Sequence, residues 1–144
     1  MSRSIFDVTE LDTYSRRILE LAERDMPKET SKFLRNEGNK LKRTTLKKAK
    51  IKTKKHSGNY YKGIKRGKVY KYRGNGGTSI RVYAGKPAYH AHLLEYGHVI
   101  RKEKGGEELG FVPGLHIFAE SGEEFAPEFE KDTEKFIDEM TEIL

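Results

Sequence analysis

The stretch from Pro87 to His98 constrains the fold of this chain more than any other part of the sequence. It predicts one short helix that begins at Pro87, because proline tolerates the first helical position. The helix should end at Gly97, because glycine suits the residue just past a helix C-terminus. A helix this short is marginal in water and has to be held by packing. The residues at helical spacing on its apolar side are Ala88, Ala91 and Leu94, with Leu93 and Tyr96 beside them.

A β-hairpin is predicted immediately before this helix. Residues 68–73 and 79–84 alternate as strands do, and the glycine-rich residues 74–78 between them form the turn. Because two strands alone are marginal, we expect a third, either from Tyr60 to Lys65 or from the stretch around Phe111. After the helix, the polar residues 99–110 predict an exposed loop, followed by a turn at Val112-Pro113-Gly114.

Helical periodicity marks both ends of the chain. Apolar residues recur at helical spacing on either side of Pro27, which predicts two N-terminal helices as a hairpin or one kinked rod. A last helix is predicted to begin near Ser121 or Pro127, with acids opposite its apolar stripe. The stripe, predicted to be core, consists of Phe125, Phe129, Phe136, Met140 and Ile143.

These elements predict a single α+β domain over residues 1–144: a small antiparallel sheet packed by a short central helix and a long C-terminal amphipathic helix, preceded by an N-terminal helical segment. The predicted parts are a mobile arm at 1–8, the N-terminal helical segment at 9–50, the sheet and central helix at 58–98, a loop at 99–114 and the C-terminal helix at 115–144.

Composition limits the function classes. The apolar and charged fractions are both 35%, so part of the chain should lie outside a compact core or be covered by other subunits. The absence of cysteine excludes disulfides and thiolate metal sites. No run has the length of a membrane span and no signal peptide is evident, so we expect a soluble cytosolic product with no membrane partner.

Charge is segregated along the chain, whose net charge is +7. Residues 38–94 contain seventeen lysines and arginines and no acid, whereas residues 103–144 contain thirteen acids and three lysines. The chain is therefore strongly polarised, with a basic middle and an acidic tail.

Four histidines near Glu95 raise the question of a metal or catalytic site. His92 and Glu95 are three residues apart on the predicted helix, but neither zincin spacing nor a carboxylate–histidine triad is present. The glycines at 74–77 are not followed by the Lys-Ser or Lys-Thr of a phosphate loop. We therefore expect structural hydrogen bonds or a subunit contact from His92 and Glu95, with no catalytic residue, metal or cofactor and no enzyme activity.

The motifs YHAHLLEYGH and FVPGLHIF, the upstream SGNYYKGIKRGKVYKY and the amphipathic C-terminal helix together resemble the tail-completion (neck, or head–tail joining) proteins of long-tailed bacteriophages. The resemblance implies a structural virion protein of a siphophage, a minor tail component assembled in the host cytoplasm. It also implies a homo-oligomeric ring at the head–tail junction, expected to be a hexamer, with the head connector or adaptor and the tail terminator as neighbours.

Within this resemblance, each subunit's acidic helix is expected to meet a neighbour's basic segment. The candidate interface residues are His92, Glu95, Tyr96, His98, Glu120, Glu123, Glu124 and Glu128.

A second candidate surface is basic, and it faces either DNA or acidic protein. Its residues are Lys47, Lys48, Lys50, Lys52, Lys54, Lys55, Lys65 and Arg66, with tyrosines interleaved nearby. We favour protein contact, because charge alone specifies no ligand. A sequence-independent nucleic-acid-binding module acting in DNA packaging or repair is the alternative function.

Overall fold

The computed structural model describes residues 8–53 and 58–142 and has the predicted α+β architecture. The predicted arm at 1–8 lies outside the described residues except for Val8, where the first helix begins. The helices are α1 (Val8–Glu20), α2 (Met26–Lys52), α3 (Asn59–Lys62), α4 (Ala91–Tyr96) and α5 (Ile117–Glu142). The strands are β1 (Ile64–Arg66), β2 (Tyr70–Lys71), β3 (Thr78–Ser79), β4 (Val82–Ala84), β5 (Gly97–Arg101) and β6 (Glu108–Pro113).

The two N-terminal helices form one continuous rod, so the rod and not the helical hairpin is the correct alternative. A π-helical segment, Leu21–Asp25, joins α1 to α2, and the Met26 N–H donates to the carbonyl of Leu21. Pro27 follows directly and has no N–H to donate, and its ring would clash with the carbonyl four residues earlier. The wider π turn accommodates the proline without ending the helix.

Helix α2 is the element on which the rest of the chain packs. Helix α5 lies along it, with the Phe33 and Phe136 rings stacked at a centroid distance of 4.6 Å. Strands β1, β3 and β4 also contact α2. The closest approach to Gly38 comes from the side chains of Arg66 and Ile80, which would lie 3.0 Å and 3.1 Å from an added Cβ. A glycine in the middle of a helix costs stability, and here it allows the close approach of the strands.

The predicted hairpin is present, and it is longer than expected. Strand β2 pairs antiparallel with β3 across the turn, and β1 pairs with β4, with Ile64 opposite Ala84. The four strands therefore form one interrupted hairpin. Neither candidate third strand joins it as an additional strand: Ile64–Arg66 extends the hairpin, and the stretch around Phe111 belongs to a separate one.

The central helix is shorter than predicted. Helix α4 begins at Ala91, and Pro87 lies in the turn before it, so the assignment of Pro87 to the first helical position is wrong. The predicted end is correct. Gly97 has φ of +85°, and a Cβ there would contact the Val112 carbonyl, so only glycine fits.

The predicted loop at 99–110 is also wrong. Strands β5 and β6 pair antiparallel, with Val99 opposite Phe111, and form a second hairpin that we call the arm. Val112 and Pro113, predicted as a turn, end β6. Lysines, glutamates and glycines at 102–107 form only the tip of the arm. Because these tip residues are polar, the whole stretch was predicted as a loop, although β-branched and aromatic residues on either side of the tip favour paired strands.

The C-terminal helix begins at Ile117, earlier than either predicted start, and Pro127 lies inside it. Of its predicted apolar stripe, Phe125 and Met140 are buried, Phe129 is 37% exposed and Ile143 lies outside the described residues. The central core is small and draws one residue from each of five elements: Ala49, Tyr60, Ile64, Ala91 and Ile117.

Candidate functional site

Glu95 connects α4 to the first turn of α5. Its side chain is buried, and its two carboxylate oxygens accept hydrogen bonds from the backbone N–H groups of Phe118 (2.8 Å) and Ala119 (3.1 Å). The first N–H groups of a helix have no partner within the helix, and a carboxylate there also interacts favourably with the helix dipole. Glu95 is therefore a structural residue, and the predicted structural hydrogen bonds are present.

The other central candidates lie at the surface around Glu95. His92, His98 and Tyr96 are exposed, and Tyr96 is exposed to 72%. His92 and Glu95 line the same groove of about 410 Å³, together with Tyr89, Tyr96 and Phe118. Because both oxygens of Glu95 are occupied by backbone N–H groups, His92 and Glu95 do not form an acid–base pair.

The acidic face of α5 pairs with lysines of the same chain. Lys48 lies against Glu120 and Glu124, and Lys52 also pairs with Glu120. Lys40 lies 3.8 Å from Glu128. These three glutamates therefore have lysine partners on α2 of their own chain, and a contact with a neighbour's basic segment stays a prediction. Glu123 is exposed on α5 and forms no ion pair within the described residues.

A carboxyl pair that the sequence did not reveal lies deeper in the α2–α5 contact. Burial, together with a hydrogen bond with Asp132, raises the pKa of Glu37 to about 7 against the opposing effect of Lys40. The Lys40 ammonium donates to Asp132 at 2.7 Å and holds the pKa of that carboxyl below its usual value. One available sequence signal was the i, i+4 spacing of Glu37 from Phe33, which places an acid on the apolar side of α2.

The predicted basic segment is divided by the fold. Lys47 and Lys50 are exposed, Lys48 and Lys52 pair with α5, and Lys54 and Lys55 lie outside the described residues. Lys65 and Arg66 are half-buried in β1, where the Arg66 stem packs over α2. Of the six described members, two therefore have their charge compensated by α5.

A groove of about 580 Å³ at the β2–β3 end of the long hairpin brings Tyr70 and Tyr72, two of the tyrosines interleaved with the basic residues, beside cations that were not among the candidate residues. It is lined only by cations, tyrosines and one glycine. Arg81 stacks over the Tyr83 ring at 4.9 Å. Among the described residues, no carboxylate forms an ion pair with any cation of this groove. The signal that could have found it is the alternation of lysine and tyrosine from Lys68 to Tyr72.

The arm exposes apolar side chains on both of its faces. Leu109 and Phe111 are 60% and 59% exposed, and Val99, Ile100 and Val112 are each about two-fifths exposed. Opposite residues of an antiparallel pair share a face, so Val99 and Phe111 lie on one side and Ile100 on the other. Within the described part of the chain, the outer edges of β5 and β6 pair with no third strand.

Two classes of site are absent from residues 8–53 and 58–142. No three histidine, aspartate or glutamate side chains there are grouped to hold a metal ion. None of the described helices is long and apolar enough to cross a bilayer. Comparison of the chain with protein-family models, with curated proteins and with solved structures finds no match.

Proposed function

We propose that this protein is a structural subunit of the neck of a long-tailed bacteriophage, where copies of it form a ring that joins the head connector to the tail. The observation that carries the proposal is the arm, which has exposed apolar residues on both faces and whose two edges pair with no other strand in the described part of the chain. A two-stranded ribbon is marginal by itself, and open edges with apolar faces promote association with another chain. The proposed position at the head–tail junction rests on the sequence motifs that resemble the neck proteins.

The contact that we propose is heterologous, with the arm of one subunit packed on a different surface of the next. Such contacts close into rings when the rotation between subunits permits. The receiving surface is the groove beside α4, where exposed Tyr89 and Tyr96 flank His92. This contact uses His92, Tyr96 and the apolar arm, and it does not require the acids of α5. No covalent chemistry is involved.

The arm variant Leu109→Asp/Phe111→Asp is expected to abolish self-association while leaving the fold intact. Both side chains are mostly exposed, so the charges cost little within one subunit but would be buried in the assembly. Light scattering after size-exclusion chromatography should give the mass of one chain for the variant and a multiple of it for the unaltered protein. Circular dichroism should be the same for both.

The control is Ile51→Asp, which places one aspartate on an exposed apolar residue of α2, outside the arm. It should assemble like the unaltered protein. Assembly should also persist in about 0.5 M NaCl, because apolar contacts are not screened by salt as exposed ion pairs are. An arm variant that still assembles, or an unaltered protein that is monomeric at every concentration, would contradict the proposed contact.

The place in the virion is tested in a phage that carries this gene. Its deletion should leave filled heads and separate, complete tails in electron micrographs. The unaltered protein should restore joined particles, and the Leu109→Asp/Phe111→Asp variant should not. Joined, infectious particles in the absence of the protein would refute the neck assignment.

A further inference from the structure

No carboxylate among the described residues compensates the positive charge of the groove at the β2–β3 end of the hairpin. Lys68, Lys71, Arg73 and Arg81 line it, and all four side chains are exposed. The lysines of α2 differ, because Lys48 and Lys52 each pair with a glutamate of α5. The fold therefore neutralises part of the basic region and leaves these hairpin cations available to an external anion.

The groove also carries aromatic rings between its cations. Tyr70 and Tyr72 are 41% and 51% exposed, and the Tyr83 ring is already stacked with the Arg81 guanidinium. An acidic protein surface requires only cations, whereas nucleic acid uses both charge and flat rings. Base–aromatic stacking contributes about 1–3 kcal/mol per base in proteins that bind single strands. The combination favours nucleic acid over acidic protein.

We propose that this groove binds the phosphodiester backbone of nucleic acid without sequence preference. The cations neutralise phosphates, and Tyr70 and Tyr72 either stack on bases of a single strand or donate hydroxyl hydrogen bonds to phosphates of a duplex. The inference does not rest on the neck assignment, because it concerns binding by the purified chain. Its failure would leave the arm experiments unaffected.

The test is fluorescence anisotropy with the full chain and two labelled probes of unrelated sequence, a duplex and a single strand. The groove variant Lys68→Glu/Lys71→Glu/Arg73→Glu is expected to bind both probes at least tenfold more weakly. For the duplex, the slope of log affinity against log salt should fall by roughly 3, since each phosphate contact contributes about 0.9. The variant Tyr70→Ala/Tyr72→Ala should lower the affinity for the single strand more than the affinity for the duplex.

The matched control is Lys102→Glu/Lys104→Glu/Lys131→Glu, which makes the same charge change at exposed lysines of the arm tip and α5. It should retain most of the affinity. Equal losses in the groove and control variants would refute the site, because net charge alone would then explain binding. Binding of polyglutamate as tight as that of DNA would assign the groove to acidic protein instead. If the groove variant has a lowered melting temperature, the tyrosine variant provides the deciding comparison between probes.

Discussion

Replacing Glu95 with alanine is expected to lower the free energy of unfolding by about 3 kcal/mol, because two backbone N–H groups lose their acceptor in a partly buried position. For a domain of this size, that corresponds to a fall in melting temperature of roughly 6–12 °C. Chemical denaturation measures the first quantity and calorimetry the second. The local sign should be faster amide exchange at Phe118 and Ala119.

Two variants separate the capping role of Glu95 from a general effect of removing a carboxylate. Glu95→Gln keeps one acceptor oxygen, so its free energy of unfolding should lie between that of Glu95→Ala and that of the unaltered protein. Glu123→Ala removes an exposed carboxylate of α5 and should change stability little. A Glu95→Ala protein that is as stable as the Glu123→Ala control would show that the hydrogen bonds to α5 contribute nothing.

Stability should fall as the pH rises through the titration range of Glu37. Its pKa is about 7 in the folded protein, against 4.5 for the ordinary group, so the folded state binds the proton more tightly. The stabilisation from this proton is complete below about pH 4.5 and is lost by about pH 7. The free energy of unfolding should therefore be about 3 kcal/mol higher at low pH than above pH 7 from this group, since each unit of pKa shift corresponds to about 1.36 kcal/mol.

The variant Glu37→Gln should remove this pH dependence, because the amide keeps the shape of the protonated acid and does not ionise. Urea denaturation at pH 5 should give nearly equal stabilities for the two proteins, and at pH 8 the variant should be more stable by about 2–3 kcal/mol. Subtracting one curve from the other removes the contribution of the histidines. The exposed control Glu134→Gln should show no such trend, and a difference that is constant with pH would disprove the raised pKa.

Local signals in the sequence were sufficient for much of the fold. The glycine-rich turn at 74–78 and the alternation beside it placed the first hairpin, and Gly97 fixed the end of the central helix. These features depend on backbone preferences of a few neighbouring residues. Where long-range contacts compete, the predictions from local sequence failed: Pro87 did not begin a helix, and the last helix begins at Ile117 instead of near Ser121 or Pro127. Packing along α2 and the Glu95 cap stabilise α5 from Ile117 onward in spite of its proline.

The candidate sites were less predictable than the fold. The sequence singled out Glu95, but the groups that it binds lie more than twenty residues away, so its capping role could not be read locally. The groove and the arm were not predicted as sites. Whether a charged or apolar side chain is free to bind another molecule depends on its neighbours, and only the fold brings those together. Lys68 and Lys48 have similar sequence surroundings, but of the two only Lys48 forms an ion pair with a carboxylate among the residues that the structure describes.

The sequence by itself determined the α+β class, the first hairpin, the end of the central helix at Gly97 and the segregation of charge. Tertiary structure decided which charges meet. Coulomb attraction has no directional preference, so an acidic tail can pair with its own chain or with another. Here α5 packs on α2, and its acids at positions 120, 124, 128 and 132 lie opposite lysines of that helix. That packing leaves the apolar arm, the groove beside α4 and the basic groove open to other molecules.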